Sequence, residues 1–137
     1  MRFSSHLRLL AIGVGVWAAF WAAGLPHYYQ QYSTTVLAVG TAALVPPSAW
    51  IGWRVIHAAK PQHRAERGLW LAVYFSLPFL FLDALYCGLY LGHGAAFFGT
   101  YWYLTVFYVV PWVLYVPMGL WAARQRGAKE SSARTGR

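Results

Sequence analysis

Apolar residues run along this chain in four long blocks, over roughly residues 7–25, 34–56, 69–91 and 99–123, separated by short polar or glycine-rich breaks. Between their end turns the blocks contain no Lys, Arg or Glu. At a rise of about 1.5 Å per residue, roughly 20 residues match a hydrocarbon layer of about 30 Å, so each block is long enough to cross a bilayer as a helix. Barrel strands need only about ten residues and alternate polar with apolar positions, and no block alternates. In lipid an α-helix satisfies its own backbone. The pattern predicts an all-α integral membrane protein, a four-transmembrane-helix bundle with short outer loops, spanning residues 1–123 and followed by a basic tail at 124–137.

Composition points the same way, since 59% of the residues are hydrophobic and 10% charged, too few polar groups to cover a soluble domain of 137 residues. Four spans leave no chain for a separate folded head. Cys87 is the single cysteine, which rules out a disulfide framework or a paired-thiol relay within one chain.

The positive charges orient the bundle. Arg2 and Arg8 lie at the start of the first span, Arg54, Lys60, Arg64 and Arg67 around the second connection, and Arg124, Arg126, Lys129, Arg134 and Arg137 after the last span. The first connection (26–33) and the third (92–98) carry none. The positive-inside rule therefore predicts an inner or plasma-membrane protein with both termini and the middle loop cytoplasmic. The formal charge of +8 is divided among three sites flanking the membrane, which suits anionic headgroups and gives no folded basic face for nucleic acid. A secretory signal peptide is the rival reading of the first block, which ends in Ala22-Ala23-Gly24, but the apolar run is longer than a usual signal core and carries Trp17, Phe20 and Trp21. The tail, with Gly127, Ser131, Ser132 and Gly136, is expected to lack regular structure.

Aromatic residues flank the blocks as interfacial anchors do: Trp50, Trp53, Trp70 and Trp121 at the inner ends, Tyr28, Tyr29, Tyr32, Tyr101 and Trp102 at the outer ones. Pro46, Pro47, Pro78, Pro111 and Pro117 fall inside spans, where each frees a carbonyl and permits a kink.

Polar residues recur at helical spacing. Ser76, Asp83 and Tyr90 follow one another at sevens on the third block, with Tyr86 and Cys87 between the last two. Tyr101, Thr105, Tyr108, Trp112 and Tyr115 keep the spacing of a single seam on the fourth, and Thr34, Thr41 and Ser48 recur at sevens on the second. Lipid has no use for hydroxyls, so the three stripes are expected to face one another. Counting from the third connection places Asp83 beside Tyr108, and Tyr90 beside Tyr101. Gly88 and Gly92 have the small-xxx-small spacing that lets helices approach, within one chain or between two.

Asp83 is the one acid deep in a span. An ionised aspartate there costs about 2.5–3.5 kcal/mol on insertion scales, and no basic residue lies at that depth to pair with it. Four roles follow: a neutral carboxyl bonded to Tyr108 or Thr105, a proton- or cation-coupling group in a transporter, a site for a cationic or hydroxylated small ligand or lipid, or catalysis. An enzyme would need a second titratable group beside it, and the seam supplies only tyrosines. The expected role is therefore non-enzymatic binding or movement of a small ligand or ion at a seam of Asp83, Tyr86, Tyr90, Thr105, Tyr108 and Thr41, with an accessory subunit of a membrane complex as the alternative. A homodimer or another membrane subunit is an admissible partner besides the bilayer. No cofactor or metal is expected, because His6, His57 and His63 read as solvated residues among the inner charges. His27 and His93, one in each outer loop, could meet but lack a nearby acid.

Overall fold

The structure, a computed structural model, describes residues 3–23 and 29–135 of the chain. They form α1 (Phe3–Ala23), α2 (Thr34–His57), α3 (Arg64–Asp83), a π-helical continuation of α3 (Ala84–Tyr90), the short α4 (Phe97–Thr100) and α5 (Trp102–Thr135). Four helical stretches are long and apolar enough to cross a membrane, Ser5–Ala23, Thr34–His57, Pro61–Tyr90 and Trp102–Gln125. No strand occurs among the described residues.

Helix ends and apolar blocks differ where a local signal overrides hydrophobicity. After the 3₁₀ turn Pro61–His63, α3 begins at Arg64, because Arg-Ala-Glu-Arg is a run of good helix formers even though it is polar. The fourth long helix starts at Trp102 because Tyr101, at φ −114° and ψ 50°, leaves the helical region and ends α4. Beyond Gln125 the backbone stays helical to Thr135, where no regular structure was expected, since the tail offers Ala, Lys, Glu and Arg against the single breaker Gly127. At the start of α2, Ser33 is the N-cap, its hydroxyl accepting from the Val36 N–H at 3.3 Å.

The core is the antiparallel pair of α3 and α5, which share the most extensive contact; α2 packs on both, α1 packs on α3, and α1 and α2 make no substantial contact with each other. Small residues explain the closeness of the central pair. A Cβ on Gly119 would lie 3.1 Å from Gly68 Cα and 2.9 Å from the Arg64 carbonyl, so the two backbones cross with nothing between them. Gly52 of α2 meets the ring of Tyr115 in the same way, and Gly13 of α1 meets the carbonyl of Tyr74. That carbonyl is the one whose ladder donor is missing, because Pro78 has no N–H. Gly88 and Gly92 do not serve a helix crossing within the chain. Gly88 faces Gly94 of the adjoining 3₁₀ turn and Phe97 at the start of α4, and Gly92, at φ +73°, is a turn residue with open space around it.

Two buried clusters mark the two ends. Leu9, Ile56, Leu71, Ala72, Tyr115 and Ala122 pack toward the end that carries the basic residues; Cys87, Phe97, Tyr101, Tyr103 and Tyr108 pack toward the other. At the basic end Arg64 donates to the carbonyls of Ala122 and His57, Trp53 packs on Trp121 at 5.4 Å between ring centres, and the Arg54 guanidinium lies 5.6 Å over Trp50.

Candidate functional site

Asp83 is the last α-helical residue of α3 and is 4% exposed. Gly68, Ala72, Ser76 and Asp83 recur at multiples of a helical turn on one side of α3, and all four are buried. The Tyr108 hydroxyl donates to Asp83 Oδ2 at 2.7 Å, as the depth argument predicts. The Ser76 hydroxyl in turn donates to the backbone carbonyl of Tyr108 at 2.7 Å. A third donor comes from α1: the Trp17 indole N–H donates to Asp83 Oδ1 at 2.8 Å. An indole nitrogen can only donate, so Oδ1 is an acceptor, and α1, α3 and α5 are tied together through one carboxyl group.

Trp17 is absent from the seam predicted by sequence, although the signal was present. It lies roughly eight residues from the outer end of its apolar block, as Asp83 does from the end of its own, so the same depth counting places them level. Trp17 is also the one side-chain donor in the middle of the first block, and a buried indole N–H needs an acceptor.

Thr105 is turned elsewhere: its hydroxyl donates to the Phe98 carbonyl at 3.0 Å, a group left without a helical partner by the break at Tyr101. Tyr90 is 78% exposed and does not meet Tyr101. The π segment is the reason. Its hydrogen bonds span five residues, as in Leu91 N–H to the Tyr86 carbonyl at 2.9 Å, so each turn takes up roughly one more residue than an α turn. Over the seven residues from Asp83 to Tyr90 the register slips by somewhat under half a turn, and Tyr90 leaves the face that Asp83 occupies. Its ring stacks on Tyr86 at 5.5 Å, and Tyr86 in turn packs edge-on to Trp21 at 5.8 Å. Tyr101, 1% exposed, pairs through its hydroxyl with His93 Nε2 at 3.1 Å. The predicted Tyr90–Tyr101 neighbourhood is thereby replaced by a Tyr101–His93 one. His27, the other outer-loop histidine, lies outside the described residues.

Because α1 and α2 stand apart, a cavity of about 460 Å³ fills the gap between them. Trp17, Phe20 and Trp21 form its α1 wall; Gly40, Thr41 and Leu44 belong to its α2 wall. Tyr29 and Tyr32 close it on the side of the first connection, and Phe79, Asp83, Tyr103 and Phe107 lie at its back. A second cavity of about 250 Å³ shares Phe20, Leu44, Phe79 and Phe107 with the first and extends past Pro47 and Pro111 to Ser48 and Tyr115. No Lys, Arg or His is among the described residues lining either. Of the six residues predicted to form the site, the structure thus bonds Tyr108 to Asp83, puts Thr41 with Asp83 on the lining of one cavity, sets Tyr86 beside the cavity residue Trp21, and directs Tyr90 and Thr105 away. Among the described residues no group of His, Cys, Asp and Glu has the arrangement to hold a metal ion. Compared with known protein families, with curated proteins and with solved structures, the chain matches none.

Proposed function

We propose that this chain crosses the cell membrane, inner or plasma, four times with both termini cytoplasmic, and that it binds or moves a small, largely apolar ligand taken into the α1–α2 gap at Asp83. Three features support insertion and sidedness. Val39, Phe81, Leu89 and Val113 are 64, 64, 74 and 65% exposed on the outer surfaces of their helices, a cost of about 25 cal/mol per Å² in water that lipid removes. The basic residues near the helix ends share one end of the bundle, and tryptophans gather among them. A reporter active only in the cytoplasm should give signal after Arg137, and one active only outside should give signal near Gly94; an external C-terminus would overturn the orientation.

One observation carries the binding role: a buried carboxyl group stands on the wall of an aromatic cavity of about 460 Å³, within the range of roughly 300–1,000 Å³ usual for small-molecule sites. The gap lies between two helices that make no substantial contact, so a ligand can reach it sideways from the bilayer. Gly40 supplies the test, since it lines the cavity and nothing lies within 4 Å of a Cβ placed there. Melting curves of the purified protein in detergent, run against a panel of small lipophilic compounds, should show stabilisation by some of them. Gly40→Phe should melt as the wild type does when no compound is added and should respond to none. A wild type that no compound stabilises, or a filled variant that still responds, would sink this reading.

A further inference from the structure

The lining of the cavity restricts the charge of what can occupy it. An anion would lie beside the Asp83 carboxyl with no Lys, Arg or His among the described lining residues to receive it, which sets both charge repulsion and desolvation against it. A ligand rich in hydroxyls or amides would strand most of them against Phe20, Leu44, Phe79 and Phe107. A purely apolar ligand fits the walls but covers Asp83 without serving it. A carboxylate has about four acceptor positions, and Trp17 and Tyr108 take two of them. The rest would be sealed from water with no donor.

Resting on the cavity reading above, we infer that the ligand is a lipophilic monocation, an alkyl- or arylammonium whose single positive charge lies against Asp83 and whose apolar body fills the α1–α2 gap. The walls suit the cationic head as well as the carboxyl does. Trp17, Trp21, Tyr29, Tyr103, Phe79 and Phe107 surround the space with aromatic rings contributed by α1, the first connection, α3 and α5. Ring faces attract ammonium groups, tryptophan most strongly, and more so where water is excluded. The Trp17 and Tyr108 donors hold the carboxyl in place, so it need not reorganise to meet the charge. Asp83 is the one acid among the described lining residues, which sets the ligand's charge at one, since a second positive group would have no carboxylate among them.

Three probes of similar shape decide the matter: 4-phenylbutylammonium, which carries N–H donors, its uncharged isostere pentylbenzene, and 4-phenylbutylsulfonate. Binding is measured by equilibrium dialysis against the full chain in nanodiscs of zwitterionic lipid, with empty nanodiscs as the baseline for partitioning. The wild type should hold the cation at least about tenfold more tightly than the neutral isostere, and the anion no better than empty nanodiscs do. Asp83→Asn keeps an acceptor for the Trp17 N–H; it should lower cation affinity to the level of the isostere and leave the isostere unchanged. Gly40→Phe should abolish both. Equal binding of cation and isostere by the wild type, a comparison that needs no variant, would overturn the charge assignment, as would an Asp83→Asn protein that still prefers the cation. The cavity reading survives either result if Gly40→Phe abolishes binding. No retention of any probe above empty nanodiscs, or retention that Gly40→Phe leaves intact, overturns both.

Discussion

The two ends of this bundle are built on opposite principles. Toward the basic end, Gly13, Gly52, Gly68 and Gly119 each let a backbone or a ring come within contact of a neighbouring helix, and the cluster around them includes Leu, Ile and Ala. The long helices there keep the α form, with a 3₁₀ turn, Pro61–His63, in the connection between α2 and α3. Toward the other end the contacts are aromatic, and the backbone departs from the α form at the π segment 84–90, the 3₁₀ turn 94–96 and the break at Tyr101. Bulky rings hold helices apart where glycines draw them together, so the larger cavity opens among Trp17, Phe20, Phe79 and Phe107, and the smaller one reaches from there toward Tyr115. Close packing and open space exclude each other, and the larger open space lies at the aromatic end.

The largest test of that division inserts bulk at both. Gly68→Leu drives a side chain into the Tyr115 carbonyl and the Gly119 backbone, neither of which can turn aside, and should lower stability by roughly 3 kcal/mol or more. Gly40→Leu adds the same atoms beside the cavity and should cost nothing measurable, or gain slightly from the better helix propensity of leucine. Thermal or denaturant melts of the two variants in one detergent make the comparison, and equal losses would show that the two ends do not differ in packing. Next in size is Asp83→Leu, which leaves the Trp17 N–H and the Tyr108 O–H without their acceptor and should cost about 2–3 kcal/mol. Asp83→Asn retains an amide oxygen for one of them and should cost about half as much.

Legibility in the sequence followed the constancy of the helical turn rather than one end of the bundle, because periodicity arguments assume that constancy. The spans, the burial of Tyr101, Tyr108 and Tyr115, and the contact of Asp83 with Tyr108 all follow from spacing and depth. Tyr115 reaches α2 as the polar stripes anticipate, its hydroxyl donating to the Ser48 carbonyl at 3.3 Å. Trp17 was hidden by its residue type, because a tryptophan in a span reads first as an interfacial anchor and only on counting depth as a donor to Asp83. The glycine crossing within the chain was hidden for another reason. Spacing alone cannot distinguish Gly88 and Gly92, one packed on the adjoining 3₁₀ turn and the other a turn residue, from Gly68 and Gly119, which meet only after α3 and α5 fold back on each other. Nothing in residues 84–90 announces that the backbone widens there, and Tyr90 was misassigned in consequence.

A smaller effect checks the link between the two ends. Ser76, Tyr108 and Asp83 form a chain of two hydrogen bonds running from mid-bundle to the cavity wall. Tyr108→Phe should cost about 1 kcal/mol, and combined with Asp83→Asn should cost less than the sum of the single losses, because both variants alter one shared bond. Strict additivity in that cycle would mean that the tyrosine and the acid do not meet.

The smallest expected effect concerns the π segment, and its smallness is the point. If residues 84–90 continued α3 as an α-helix, Tyr90 would lie two turns beyond Asp83 on the same buried face. Removing its ring would then cost what a buried aromatic costs, about 3–5 kcal/mol. In the π register Tyr90 is 78% exposed, touching Tyr86 by stacking and little else, so Tyr90→Ala should change stability by no more than about 0.5 kcal/mol. Tyr101→Phe is the control from the other side of the same end. It keeps the buried ring and removes only the bond to His93, and should cost about 1 kcal/mol. The ordering is therefore reversed from what the two truncations alone would suggest, with the loss of one oxygen outweighing the loss of a whole ring. Melting curves of the two variants read it directly. A Tyr90→Ala protein destabilised beyond Tyr101→Phe would place Tyr90 back on the Asp83 face and remove the widened turn from this end of the bundle.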